Sequence, residues 1–235
     1  MKPVMEVNGL AKAFTLHQQH GVVLNVLQGL SFSVLAGECL ILHGRSGAGK
    51  STLLRTLYGN YLPAAGSSIR VLHEGQLVEM AGAEPRLTLA VRRGTMGYVS
   101  QFLRVIPRVS CLNVVMEPAL ARGIDHGLAQ QRAQALLQRL GIPDSLWTLA
   151  PGTFSGGEQQ RVNIARSFMV HWPVLLLDEP TAALDEANRH VVIELIAEAR
   201  AAGSALIAIS HDAATRDAIA DRYLDMTSKE LAHAC

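Results

Sequence analysis

The stretch Cys39-Leu40-Ile41-Leu42-His43-Gly44-Arg45-Ser46-Gly47-Ala48-Gly49-Lys50-Ser51 decides the fold. A short apolar run predicts a buried strand, and residues 44–51 fit G-x-x-x-x-G-K-[ST], a loop whose glycines let successive backbone N–H groups point inward at a polyphosphate. The helical run over 51–58 would direct its unpaired N–H groups and positive dipole end at the same charge. Lys50 is placed to reach the β- and γ-phosphates, Ser51 to ligate Mg²⁺, and Thr52 to add a hydroxyl near the α-phosphate. Gly44, Arg45, Ser46, Gly47, Ala48 and Gly49 complete the loop.

Further along, the apolar strand Val174–Asp178 ends in two adjacent acids, Asp178 and Glu179. A buried strand delivering a carboxylate beside the phosphate loop of a neighbouring strand supplies a second Mg²⁺ anchor, here Asp178. Glu179, one residue on, could accept a hydrogen bond from a water attacking the γ-phosphate. His211 follows a third apolar run, 205–210, and would contact that phosphate and hold the water with Glu179.

Around these motifs, strand-length apolar runs alternate with helical periods at 128–140 and 186–202, which Gly141 and Gly203 terminate. The pattern predicts a layered α/β protein with a mixed, mostly parallel sheet as its core. Alternating stretches at 27–34 and 68–78 predict an antiparallel β subdomain, and proline-punctuated 102–153 predicts an inserted helical subdomain. One domain results, with a core and β subdomain from 1–101 and 154–235. The 235 residues carry a formal charge of +1, from 21 basic against 20 acidic side chains, so no basic block suggests a nucleic-acid partner. No apolar run is long enough to cross a bilayer and the N-terminus has no apolar signal region, which predicts no direct membrane insertion. Cys39, Cys111 and Cys235 are scattered, without metal-ligand spacing, as expected of a chain in the reducing cytoplasm.

Phe154-Ser155-Gly156-Gly157-Glu158-Gln159-Gln160-Arg161 carries the reading to a named family. With the phosphate loop, Gln101 in Tyr98-Val99-Ser100-Gln101, Ala182-Ala183-Leu184-Asp185 and His211, the chain resembles the ATP-binding-cassette ATPases over nearly its whole length. That resemblance implies a P-loop ATPase fold, ATP hydrolysis, and a homodimer or a heterodimer with a second cassette. It implies that Phe14 stacks on adenine and that Gln101 touches Mg²⁺ or the attacking water. It further implies that Ser155, Gly156 and Gly157 bind the γ-phosphate of ATP held by a second chain, and that Asp185 signals across the interface. The motif usually opens with Leu and has Gln fifth, whereas Phe154 and Glu158 stand here. A carboxylate near the γ-phosphate would repel it, so Glu158 either weakens dimer closure, turns away, or pairs with a base such as Arg161.

Residues 54–63, 99–108 and 146–166 are similar to the PhnL family, the ATP-binding subunits of the bacterial phosphonate carbon–phosphorus lyase system. This narrower resemblance implies soluble lyase core subunits as partners and a supporting role in alkylphosphonate breakdown through ribose 1-phosphonate 5-triphosphate. The competing expectation is the ATPase of a transporter, docking on separate membrane subunits through 102–153. Leu103, Val105, Ile106 and Val109 would line its groove or be core, and Arg104 and Arg108 would meet an acidic partner.

Overall fold

The structure, a computed structural model, describes residues 2–16, 18, 21–101 and 107–226. In chain order its elements are β1 (Pro3–Leu16), β2 (Val22–Leu35), β3 (Cys39–His43), α1 (Lys50–Leu57), β4 (Ser68–His73), β5 (Gln76–Glu79), α2 (Pro85–Gly94) and β6 (Met96–Val99). Then come α3 (Cys111–Leu120), α4 (His126–Arg139), α5 (Gly156–Ser167), β7 (Val174–Asp178), α6 (Glu186–Ala201), β8 (Ala205–Ile209), α7 (Ala213–Ile219) and β9 (Arg222–Asp225), with 3-10 turns at Asp144–Leu146 and Pro151–Thr153.

Two sheets form. β6, β7, β8, β3 and β9 make a five-stranded sheet in that order, every pair parallel. β2, β1, β4 and β5 make a four-stranded antiparallel sheet. The core sheet is therefore not mixed among the described strands; antiparallel pairing is confined to the second sheet. The central strands read as unbroken apolar runs because layers cover both of their faces. Successive side chains then divide between the two cores, as a period of two requires. Cys39, Ile41, Leu175, Leu177, Leu206 and Ala208 pack toward α3, α4, α5 and α6. Leu40, Leu42, Val174, Leu176, Ile207 and Ile209 pack toward Leu53, Leu54 and Leu57 of α1 and toward Met5, Val7, Leu10, Ile69 and Val71 of the antiparallel sheet.

Helix boundaries follow local chemistry. α3, α4, α6 and α7 begin on Ser110, Asp125, Asp185 and Asp212, whose side chains accept a backbone N–H of the first turn. Pro85 at the first position of α2 removes one donor that would lack a partner there. Val109 packs against the core rather than standing free, and Arg108 is exposed at positive φ (66°). Leu103, Val105 and Ile106, the rest of the expected groove lining, and Arg104 lie outside the described residues. Among the described residues no helix is long and apolar enough to cross a membrane.

Candidate functional site

α1 starts unlike its neighbours. Its N-cap is Gly49, in the left-handed region at φ 88°, with no side chain to accept an N–H. The first-turn N–H groups of Lys50, Ser51 and Thr52 have no acceptor within the helix, leaving an open anion site in the cleft. Glycine is required at 49: a Cβ there would meet Val26 Cγ1 at 2.9 Å and the Val26 carbonyl oxygen at 3.0 Å. The loop is braced internally, with Ala48 N–H donating to Arg45 O at 3.1 Å. Lys50 Nζ, buried, donates to the carbonyls of Gly44 (2.7 Å) and Arg45 (2.9 Å).

β7 carries the two acids to the same end of the sheet. Its register with β8 pairs Asp178 with Ile209, and β8 lies between β7 and β3, so the acid strand is not the neighbour of the phosphate-loop strand. α1 spans the gap: Ser51 Oγ donates to Asp178 Oδ1 at 3.0 Å. Asp178 is buried, and its Oδ2 accepts from the Tyr98 hydroxyl at 3.0 Å. Glu179 adopts positive φ (52°), an uncommon state for a residue with a side chain and one found where function requires a particular aim. Its N–H is held by Ile209 O at 3.0 Å, and its Oε1 lies 3.1 Å from Nε2 of the exposed His211.

A cleft of about 420 Å³, within the size range of small-molecule sites, is lined by Phe14, Val26, Ser46, Gly47, Gly49, Lys50, Ser51, Thr52, Glu179 and His211. One surface thus unites seven of the residues expected to bind nucleotide with Glu179 and His211. Phe14 stands at its rim, edge-on to Tyr61 at 5.2 Å between centroids, with Lys12 Nζ 4.8 Å over its ring. Among the described residues no group of three or more His, Cys, Asp or Glu could hold a metal alone. The donor set fits Mg²⁺ all the same, because that ion keeps waters and substrate phosphate oxygens and takes one or two protein ligands. Ser51 and Asp178, already in contact, are such a pair.

Gln101, Ser155 to Glu158, and Asp185 fall outside this cleft. Gln101 is exposed just past β6. Asp185 caps α6, accepting Asn188 N–H at 2.8 Å and Asn188 Nδ2 at 2.9 Å, and those bonds hold its carboxyl below the ordinary range. Gly157 lets α5 approach the next turn, since a Cβ would meet Ala183 O at 3.1 Å. Ser155 and Glu158 close a capping box on α5. Ser155 Oγ accepts Glu158 N–H at 3.3 Å, while Glu158 Oε2 accepts Ser155 N–H at 2.8 Å and Ser155 Oγ–H at 2.7 Å. The Ser155 hydroxyl and amide hold the Glu158 carboxyl below its usual range; Arg161 contributes least and spends its guanidinium on Gly157, Leu140 and Gly141 carbonyls. Of the arrangements open to Glu158, the carboxylate therefore folds back onto its own helix start. Tyr98, quoted only as part of a motif, is the site residue that the sequence reading missed; it stands one residue before the end of β6, and only the pairing of β6 with β7 brings it to Asp178.

A family model described as "ABC transporter" matches residues 27–182. The macrolide export ATP-binding/permease protein MacB of Nitrosomonas europaea is 38% identical over 212 residues, covering 90% of this chain and 31% of that protein. The probable syringafactin export ATP-binding/permease protein SyfD of Pseudomonas syringae pv. syringae is 33% identical over 231 residues, covering 98% of this chain and 34% of that protein. The chain thus spans about a third of the length of these relatives. An uncharacterized ABC transporter ATP-binding protein of Thermotoga maritima is 36% identical over 212 residues, 90% of this chain and 87% of its own length. Among solved structures, the dimeric bacterial ABC transporter cassette MJ0796 superposes with a TM-score of 0.83 at 22% identity, covering 94% of each chain.

Proposed function

This chain belongs to the ABC transporter ATPase family, and from that premise we propose that two cassettes close on ATP, hydrolyse it, and transmit the cycle to separate partner subunits. The observation that carries this is the division of the chemistry. The phosphate loop, Asp178 and Glu179 with His211 converge on one cleft, while the Ser155 to Gly157 helix start lies away from it and needs a second copy to complete a site. In this reading Lys50 spends two of its three N–H groups keeping the loop shaped and has one for a phosphate oxygen. Mg²⁺, held by Ser51 and Asp178 and contacted by Gln101, would neutralise charge on the β- and γ-phosphates. Glu179 orients the attacking water and takes its proton, and His211 fixes the carboxylate from 3.1 Å. Phe14 offers its ring to the adenine, and Asp185 reports across the dimer interface through α6.

The partners separate two readings. Two of the relatives named above, MacB and SyfD, are export ATP-binding/permease proteins, which supports membrane subunits as the partners here. A soluble carbon–phosphorus lyase complex is supported by the resemblance of 54–63, 99–108 and 146–166 to the PhnL family. Affinity purification of the tagged protein from its own cells, trapped with a non-hydrolysable ATP analogue, tests both. Membrane subunits in the eluate support the transporter reading and exclude the lyase, lyase core subunits do the reverse, and recovery as an ATP-independent monomer would overturn the dimeric motor itself.

A further inference from the structure

Tyr98 stands on β6 opposite Leu176 of β7, on the sheet face that carries α1, and period two places Asp178 on that same face. Its hydroxyl meets Asp178 Oδ2 at 3.0 Å while Ser51 takes Oδ1. The two oxygens of one buried carboxylate are thus fixed from opposite sides. A phenol has one proton, and here it goes to the carboxylate oxygen, which accepts. The Tyr98 ring is braced in turn by Tyr58, with centroids 5.1 Å apart, and Arg92 covers Tyr58 at 4.4 Å.

We propose that Tyr98 is a positioning residue for Asp178, locking Oδ2 so that Oδ1 faces Ser51 and the nucleotide-bound divalent cation. This rests on the reading of Asp178 as the cation anchor. Outer partners of metal-binding carboxylates orient the ligand, and their loss typically weakens metal affinity about 10- to 100-fold. The test is Mn²⁺ binding to the ADP-loaded protein by electron paramagnetic resonance, with ADP affinity in EDTA measured alongside. Tyr98→Phe, which removes one oxygen and keeps the ring stack, is expected to weaken Mn²⁺ about tenfold and leave metal-free ADP affinity unchanged. Asp178→Asn should weaken Mn²⁺ at least as much. If Asp178→Asn weakens Mn²⁺ and Tyr98→Phe binds it like wild type, the proposal fails alone. If Asp178→Asn also binds Mn²⁺ like wild type, the anchor reading fails and takes the proposal with it. Should Tyr98→Phe not fold, Tyr98→Met, which also lacks the hydroxyl, carries the test: weaker Mn²⁺ binding supports the orienting role, and wild-type binding refutes it.

Discussion

Replacing two glycines of the same loop by alanine separates backbone strain from packing. Gly47 and Gly49 both lie at positive φ, 81° and 88°, where a Cβ costs about 1–2 kcal/mol. Their surroundings differ. A Cβ at 47 meets nothing within 4 Å, whereas one at 49 meets Val26 Cγ1 at 2.9 Å, Val26 O at 3.0 Å and Leu27 Cδ2 at 3.1 Å. The Val26 oxygen is backbone on β2 and cannot swing aside, so overpacking adds about 1–3 kcal/mol at 49 alone. Gly47→Ala should therefore cost about 1–2 kcal/mol and Gly49→Ala about 2–5 kcal/mol. Lost chain entropy in the unfolded state affects both variants alike and cancels in the comparison. Urea unfolding followed by the fluorescence of Trp147 and Trp172 reads the difference. Equal destabilisation of the two variants would refute the claim that the loop is seated against β2 through Gly49.

Three further outcomes follow from the structure. Glu158→Gln keeps a residue able to close the capping box but removes a negative charge from the helix start that would meet phosphate; light scattering should show tighter ATP-driven association, and weaker association would count against that charge argument. Glu158, Asp185, Glu198 and Asp212 are held below the ordinary carboxylate range by hydrogen bonds from Ser155, Asn188, Arg139 and Thr215. Each depressed carboxyl adds stability that is complete above its unfolded value near 4 and is lost as pH falls through the lower folded value, so the urea midpoint should drop below about pH 4. Cys39 and Cys111 are fully buried, which pushes both thiols up to about 12; peptide mapping after iodoacetamide at pH 8 should find them unmodified in the native protein and modified in urea, and native labelling would contradict the packing.

What was legible in the chain was whatever depends on local pattern. Residues 39–51 announce strand, loop and helix because the central strands are apolar throughout and the phosphate loop needs glycine at fixed places. Val174–Asp178 reads the same way: Glu179 after it lines the cleft, and Asp178 at its end meets Ser51. Strand order was not legible, since the central strands are all short apolar runs and the backbone hydrogen bonds that join them do not depend on side-chain identity. The intervening β8 is therefore a finding of the structure, as is α1 carrying Ser51 across to Asp178. Nor could pattern settle side-chain direction. Glu158 folding back on Ser155 is a rotamer, and the Tyr98 hydroxyl reaching Asp178 depends on two strands meeting in one register.

The central claim is that Glu179, in the cleft shared with the phosphate loop, activates water on ATP bound between two cassettes. Glu179→Gln keeps the size of the side chain and removes its basicity. ATP turnover should fall about 10²- to 10⁴-fold, while size-exclusion chromatography with light scattering should show the variant accumulating as an ATP-dependent dimer. Turnover within a few-fold of wild type, or a variant that stays monomeric at saturating Mg²⁺–ATP, would contradict the account.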